Sequence, residues 1–296
     1  MTAESHRVVD DTTISLRDGR RLGVCTVGDP KGTPILHFHG RGESRLEVAL
    51  VAESAAAAGV RLIGLDRPGV GRSDPVPDFA FVSWPDDVGE AADQLGLDRF
   101  AIEGVSAGGA YAMACVDAMP QRLTVCCLVS SVVPPELIMK SAPAFTRFRY
   151  WVGKRYPEML RRRVKRLLPV GTDRAAIEKG VQQILAGPPA EQRTFAGHER
   201  QELLADILSQ GLIQGPDAAA DESVALVQPW GLAVENLSFE RMFLWHGDRD
   251  QRVPIASARL LARTLPRCTA HFYPDEAHLS TFVNHAAEFW TTAGIA

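Results

Sequence analysis

Three residue types that together can activate a hydroxyl group occur in this chain in a fixed order: a serine, then an aspartate, then a histidine. Residues 104–108 read Gly-Val-Ser-Ala-Gly, after a strand-like run and before a helix of small residues. A bend this tight admits only small neighbours and leaves the serine hydroxyl projecting from the turn. We interpret Ser106 as a candidate nucleophile for attack on a carbonyl carbon, with a glycine-rich turn of no chemical role as the alternative.

The candidate acid follows a short apolar segment, residues 242–245, that is typical of a buried strand. The sequence His-Gly-Asp-Arg-Asp then leads into a Val-Pro pair that is expected to precede a helix. Asp250 lies where an acid following this strand could orient a histidine. Asp248 is the rival, and a turn-forming or helix-capping aspartate is the alternative for either residue.

The candidate base is His278, which follows the last predicted strand in a short loop before the final helix. His246 and His271 fall inside strand patterns, and His285 falls inside the closing helix. A nucleophile, acid and base in this chain order, each at the end of a strand, is the order of serine hydrolases built on an α/β sheet. An exposed or capping role for His278 is the alternative.

Two backbone N–H groups are candidates for holding the negative charge that develops on a carbonyl oxygen under attack. One is that of Ala107, directly after the serine, and the other is that of Arg41, in the loop after an early strand. Gly40 and Gly42 leave this loop free to turn toward a substrate, and Gly40 is expected to border it. His39 is expected to orient the loop and not to react.

The elements that position these residues alternate between strands and helices in the outer thirds of the chain, as in an α/β sheet. The first two strands are expected to form an antiparallel pair. The predicted strands are residues 13–16, 21–27, 34–38, 60–65, 99–103, 124–130, 242–245 and 270–273. The predicted helices are residues 45–58, 85–95, 107–119, 255–264 and 279–291.

The alternation stops at a Pro-Pro pair near residue 134 and resumes near residue 240. We predict a core formed by residues 1–133 and 240–296, with residues 134–239 inserted as a helical lid over the cleft. Phe148, Trp151 and Trp230 are the predicted substrate-binding residues of this lid. The alternative is that its aromatic side chains pack the lid onto the core.

The strongly basic part of this insertion, residues 140–166, contains a single acidic residue, Glu158. A solvated helix face is one interpretation. Contact with an anionic membrane surface, or attraction of an anionic substrate, is the other.

Composition restricts the remaining classes of function. The 296 residues are 46% hydrophobic and 23% charged, with a net charge of −4, which is ordinary for a globular protein and disfavours nucleic acid as a partner. The five cysteines show no metal-ligand spacing, and no metal or cofactor is expected. No secretory signal or apolar run of about 18 residues occurs, so we expect a cytoplasmic protein without stable membrane insertion. Oligomeric state is left open, a homodimer included.

These motifs resemble those of the α/β-hydrolase superfamily, and the likeness covers nearly the whole chain outside the middle third. The closest likeness is to bacterial α/β fold hydrolases of esterase or proline-iminopeptidase type. The resemblance implies a mostly parallel, eight-stranded sheet flanked by helices, with an inserted helical lid. The matching segments are His39-Gly40, residues 66–73, 104–108 and 246–250, and Ala277-His278.

The chain departs from the pattern of these relatives at three places. Arg41-Gly42 stands where Thr-Pro is usual, Ala277 replaces a glycine, and Glu103 occupies a strand position where an apolar residue is expected. None of these changes removes a candidate catalytic group. They make it unsafe to transfer a substrate from the relatives.

The expected reaction is hydrolysis of a small-molecule carboxylic ester, thioester or lactone through an acyl-enzyme on Ser106. The same three residues also serve carbon–carbon bond hydrolases and aminopeptidases. A small-molecule receptor of the same fold is a further alternative, because fold alone does not determine function.

Overall fold

The computed structural model describes residues 10–77, 80–168 and 173–296. The first nine residues, which bear on the predicted absence of a secretory signal, lie outside this part. One eight-stranded sheet has the order β1-β2-β4-β3-β5-β6-β7-β8. The strands are β1 (Asp10–Ser15), β2 (Arg21–Gly28), β3 (Thr33–Phe38), β4 (Val60–Leu65), β5 (Phe100–Val105), β6 (Leu123–Val129), β7 (Met242–Gly247) and β8 (Cys268–Tyr273).

The predicted architecture is confirmed, because β1 and β2 pair antiparallel and the strands from β4 to β8 in the sheet order pair parallel. The five helices around the sheet lie close to their predicted positions. They are α1 (Ala52–Ala57), α2 (Trp84–Gln94), α3 (Gly108–Ala118), α11 (Ile255–Thr264) and α12 (His278–Thr292).

The predicted helix over residues 45–58 differs in form, because its first half, Arg45–Val51, is a 3₁₀ helix and only the second half is α-helical. Asp66, at the end of β4, accepts hydrogen bonds from both the backbone N–H and the guanidinium of Arg45, at 2.7 and 2.9 Å. This double anchor fixes the first turn against the sheet.

In the described residues, seven α-helices lie between β6 and β7, in the segment of the predicted insertion. They are α4 (Pro135–Ser141), α5 (Ala144–Arg155), α6 (Pro157–Leu167), α7 (Arg174–Leu185), α8 (Pro189–Thr194), α9 (His198–Gly211) and α10 (Asp217–Ala225). The end of α9 approaches the loop after β3 so closely that a Cβ at Gly211 would lie 2.5 Å from the carbonyl oxygens of Gly42 and Glu43. The insertion therefore packs directly on the loop that carries Arg41.

Both faces of the central strands are covered, which is why β3 to β6 read as nearly continuous apolar runs. The small residues of α3 let that helix lie against the sheet: a Cβ at Gly108 would be 1.9 Å from the carbonyl oxygen of Phe38. All five cysteines are free thiols, four of them buried. In the described residues, no helix combines the length and apolar character that crossing a membrane requires.

Candidate active site

Ser106 lies at the bend between β5 and α3 in a left-handed backbone conformation, with φ of +53°. This conformation costs a non-glycine residue about 1–2 kcal/mol, so the surrounding structure must hold it. The backbone N–H of Ser106 donates to Val129 at 3.0 Å, and its carbonyl accepts from Val132 at 2.9 Å. Gly104 is required beside it, because a Cβ there would lie 2.4 Å from the carbonyl oxygen of Gly108.

The Asp250 carboxylate holds the imidazole of His278. Nδ1 of His278 lies 2.7 Å from Oδ2 of Asp250, and Oδ1 accepts from the backbone N–H groups of Arg252 and Val253 at 2.7 and 2.9 Å. Burial opposes the ionised form of Asp250, but the charge and hydrogen bond of His278 outweigh it and lower the pKa of the carboxyl. The acid is therefore ionised at neutral pH, and Nδ1–H of His278 donates to it.

Asp248, the rival acid, is held elsewhere. Both of its carboxylate oxygens lie 3.1 Å from the guanidinium of Arg259. His246 instead supports the acid: its Nε2 donates to the carbonyl of Val253 at 3.0 Å and lies 3.3 Å from Oδ2 of Asp250. Its strand pattern alone did not point to this contact.

Ser106 and His278 are held by adjacent residues at the end of β6. Val129 accepts from the N–H of Ser106, and the hydroxyl of Ser130 donates to the carbonyl of His278 at 2.7 Å. Nε2 of His278 is buried and makes no hydrogen bond within the described part of the chain. This nitrogen, with its tautomer set from the other side by Asp250, is free to accept a proton.

Glu191, in α8 of the insertion, anchors the helix that begins with His278. Its two carboxylate oxygens accept from the backbone N–H groups of Leu279 and Ser280 at 2.8 and 3.1 Å. A carboxylate at this end of a helix also complements the helix dipole. Nothing in the sequence marked this residue, because the contact joins segments about 90 residues apart.

Replacing Glu191 by alanine is expected to lower the free energy of unfolding by about 2–3 kcal/mol, because two buried N–H groups lose charged acceptors. Glu191→Gln is expected to fall between this variant and the wild type, since the amide keeps one acceptor oxygen. Urea denaturation measures both values. Glu178→Ala, on the exposed surface of α7 where Glu178 pairs with Arg174, is the control and is expected to change stability by less than about 0.5 kcal/mol.

The two backbone N–H groups predicted to form an oxyanion hole, those of Arg41 and Ala107, donate to no acceptor within the described residues. Gly42 has φ of +78°, which bends the loop after Arg41. His39 orients this loop as predicted, since its Nδ1 donates to the carbonyl of Gly40 at 2.7 Å. The Gly40 N–H is already used, because it donates to Glu47 at 3.1 Å.

Arg67, in the loop that follows β4, binds the loop that carries Arg41. Its guanidinium donates to the carbonyls of both His39 and Gly40 and pairs with Glu222 of α10 at 2.8 Å. The Tyr111 hydroxyl donates to the same glutamate at 2.8 Å, and the guanidinium stacks over the Tyr111 ring. The motif of residues 66–73 includes Arg67, but the sequence did not indicate that its side chain binds the loop of His39 and Gly40.

Below the loop lies a fully buried charged cluster that explains Glu103. The Nδ1 atom of His37 lies 2.9 Å from Glu103, and its Nε2 atom lies 2.8 Å from Glu47. The indole N–H of Trp290 donates to the other oxygen of Glu103 at 3.0 Å. Burial disfavours the charged imidazole, but its hydrogen bonds to Glu103 and Glu47 outweigh this effect and raise the pKa of His37 to about 9. His37 is therefore a cation between two carboxylates.

The predicted substrate-binding aromatic residues are not brought to this site. Phe148 and Trp151 are 59% and 53% exposed on the outer side of α5. The helical period explains the difference, because it turns Tyr150 and Gly153 inward instead. Trp230 is buried and packs 5.5 Å from the Phe81 ring, behind the cleft wall.

A cavity of about 720 Å³ lies beside the loop of residues 39–43, which carries Arg41 and is called the oxyanion loop below for its predicted role. Residues of the β4 loop and of α10 form its walls, with Gly42, Arg67, Phe81, Tyr111 and Glu222 among them, whereas Ser106 and His278 do not line it. Its volume suits a small molecule. In the described ranges, no three His, Cys, Asp or Glu side chains are grouped so as to hold a metal ion.

Comparisons with known proteins find similar folds. An esterase from Exiguobacterium antarcticum superposes with a TM-score of 0.67 at 19% identity, covering 96% of this chain and 97% of that one. An enol-lactonase from Burkholderia xenovorans LB400 gives 0.68 at 15% identity, covering 96% and 98%. Both are similar in fold.

A protein of Mycobacterium phage D29 whose name suggests a non-heme haloperoxidase is 31% identical over 125 residues. That match spans 42% of this chain and 44% of the relative. The family described as alpha/beta hydrolase fold matches residues 33–285, which include the serine bend, Asp250 and His278. The chain therefore belongs to the alpha/beta hydrolase fold family.

Proposed function

We propose that this protein hydrolyses a carboxylic ester, thioester or lactone of a small molecule through an acyl-enzyme on Ser106. The observation that carries the proposal is the state of His278, whose Nδ1–H is held by Asp250 while its buried Nε2 has no hydrogen-bond partner among the described residues. Ser106 lies on a strained bend at the end of β5, and the adjacent residues Val129 and Ser130 bind the backbones of Ser106 and His278. The esterases and the lactonase among the structural neighbours support the same class of reaction.

In the proposed mechanism, Nε2 of His278 takes the proton of Ser106 as the hydroxyl oxygen attacks the carbonyl carbon. The N–H groups of Arg41 and Ala107 stabilise the oxyanion. Collapse of the tetrahedral intermediate breaks the bond to the leaving group, which receives the proton from His278. Water, deprotonated by His278, then hydrolyses the acyl-enzyme and releases the acid. Asp250 orients the imidazole and stabilises its charged form throughout.

Helices α4–α10 are proposed to act as the lid of this site. The contact of α9 with the oxyanion loop and the ion pair between Arg67 and Glu222 of α10 support the assignment. A lid of this kind excludes water and selects substrates.

Labelling with a fluorophosphonate, followed by mass spectrometry of the modified peptide, tests the proposal directly. A nucleophilic serine activated by His278 is expected to form a stable phosphonate adduct on Ser106. A folded wild type that remains unlabelled, and that hydrolyses none of a series of p-nitrophenyl esters, contradicts the proposal. The small-molecule receptor would then be the better interpretation.

Arg41→Ala is expected to change selectivity more than basal rate. The Arg41 side chain is exposed beside the proposed oxyanion hole and donates to the hydroxyl of Ser223 at 2.8 Å, without an ion pair in the described residues. Its charge can therefore favour an anionic substrate. The variant is expected to lower kcat/KM for a carboxylate-bearing ester about tenfold, but for a matched neutral ester by less than about twofold.

The control for this prediction is Arg267→Ala, which removes an exposed cation that pairs with Glu240 far from the loop. It is expected to leave both rates unchanged. Equal losses on the two esters in the Arg41 variant would show that its side chain does not distinguish substrate charge.

A further inference from the structure

The outer surface of α5 and α6 concentrates exposed apolar side chains. Nine large hydrophobic side chains are exposed in the described part of the chain, and six of them lie in residues 145–167: Phe145, Phe148, Trp151, Tyr156, Met159 and Leu167. Their exposed fractions range from 47% to 71%. Isolated exposed hydrophobic residues are ordinary, but a group of this size on two successive helices marks an interaction surface.

The same two helices, together with Lys140 at the end of α4, carry a concentrated positive charge. Ten lysines and arginines and one glutamate lie in residues 140–166, a net charge of +9, so the rest of the chain carries −13. Arg161 and Lys165 pair with aspartates of α10. The other eight form no ion pair within the described ranges: Lys140, Arg147, Arg149, Lys154, Arg155, Arg162, Arg163 and Arg166.

The cations border the apolar side chains on α5. Three aromatic residues of α5, Phe145, Phe148 and Trp151, follow one another at intervals of three residues. Since an α-helix turns by about 100° per residue, they lie within a sector of about 120° on one side of the helix. Arg147 and Lys154 border this sector on one edge and Arg149 on the other, while Arg155 falls within it at the last position of the helix. The rings of Phe148 and Trp151 stack at 6.2 Å. An apolar centre with a cationic rim is the pattern of helices that lie in the lipid–water interface.

We propose that α5 and α6 adsorb to the surface of an anionic phospholipid bilayer, with the aromatic side chains in the interface and the unpaired cations on the lipid phosphates. The charge separation between this surface and the rest of the protein favours the same orientation, because a negatively charged membrane attracts one side and repels the other.

Flotation with lipid vesicles tests the proposal without any catalytic step. The wild type is expected to float with vesicles of phosphatidylcholine and phosphatidylglycerol, not with phosphatidylcholine alone, and added salt is expected to weaken binding. Arg162→Gln combined with Arg163→Gln is expected to lower the partition coefficient about 30-fold. The control, Arg17→Gln with Arg21→Gln, removes two cations that pair with acidic residues elsewhere, and less than a threefold change is expected.

Tryptophan fluorescence reports the contact itself. Trp151 is the exposed one of the five tryptophans, since the other four are at most 5% exposed. Its emission is expected to shift to shorter wavelength on anionic vesicles, and Trp151→Phe is expected to abolish the shift while the protein still floats.

Three results would overturn the proposal. The first is no binding to anionic vesicles at low salt, and the second is equal binding to both vesicle types. The third is sedimentation of the free protein as a dimer that Phe148→Ser dissociates, because the surface would then be an interface between copies of this chain.

Discussion

Ser106→Ala is expected to lower kcat for ester hydrolysis by about 10⁵–10⁶-fold, to the level left by substrate binding and the oxyanion hole alone. The reason is that the proposed acyl-enzyme forms on the hydroxyl oxygen of Ser106, which lies on the bend with φ of +53°. The alanine side chain offers no oxygen for this bond. The alanine variant is expected to fold normally, since the backbone contacts of this residue do not involve the hydroxyl. Steady-state kinetics with a p-nitrophenyl ester and a thermal melt measure the two quantities.

Ser141→Ala serves as the matched serine control. Ser141 ends α4, where its hydroxyl bonds to Leu137 and Ser257, and it has no proposed role in catalysis. Its kcat is expected to equal that of the wild type. A Ser106→Ala protein that retains more than about one per cent of the wild-type rate would contradict nucleophilic catalysis by this serine.

Parts of the site were predictable because local sequence determines them. The bend at Ser106 needs small neighbours within a few residues, so the pattern itself records the strained geometry. His278 and Asp250 follow strands whose apolar runs are equally local. The carboxyl ends of parallel strands meet at one edge of a sheet, so placing the strands also placed these side chains together.

Other parts depend on contacts between distant segments and left no local pattern. Glu191 reaches the helix of His278 from the insertion, and Arg67 binds both the oxyanion loop and Glu222. Helical spacing alone likewise could not tell which side of α5 faces the core. Phe148 and Trp151 were therefore predicted to bind substrate in the cleft, whereas they lie on the exposed side of α5.

The buried cluster around His37 leads to the prediction with the second-largest effect. His37→Asn is expected to lower the free energy of unfolding by about 3–5 kcal/mol, because Glu47 and Glu103 would remain fully buried without the cation between them. For a chain of this size that corresponds to a fall in Tm of roughly 10 °C. Glu43→Gln is the control from the same loop. Burial already raises the pKa of the Glu43 carboxyl well above its ordinary value, so the neutral amide is expected to cost less than about 1 kcal/mol.

The same cluster predicts how stability depends on pH. The pKa of His37 is raised from 6.5 to about 9 on folding, so its contribution is complete below pH 6.5 and is lost as the pH rises through 9. The free energy of unfolding is therefore expected to fall by about 2 kcal/mol between pH 6.5 and 8.5. Glu43 acts in the same direction, because its pKa is also raised. The buried His39 and His246 act in the opposite direction near pH 6.5, because burial lowers their pKa values. Urea denaturation at several pH values measures the total of all these contributions.

The share that belongs to His37 can be isolated by following the imidazole carbons by NMR. One histidine signal is expected to titrate near pH 9 and to be missing from the His37→Asn spectrum. Both ring nitrogens donate to carboxylates, so deprotonation would break one of these hydrogen bonds. It would also leave the two buried carboxylates without a positive charge between them. Gly40 donates to the same Glu47 carboxylate, so the oxyanion loop is expected to loosen over the same pH range. A wild-type spectrum in which no histidine signal titrates near pH 9 would show instead that His37 is buried neutral.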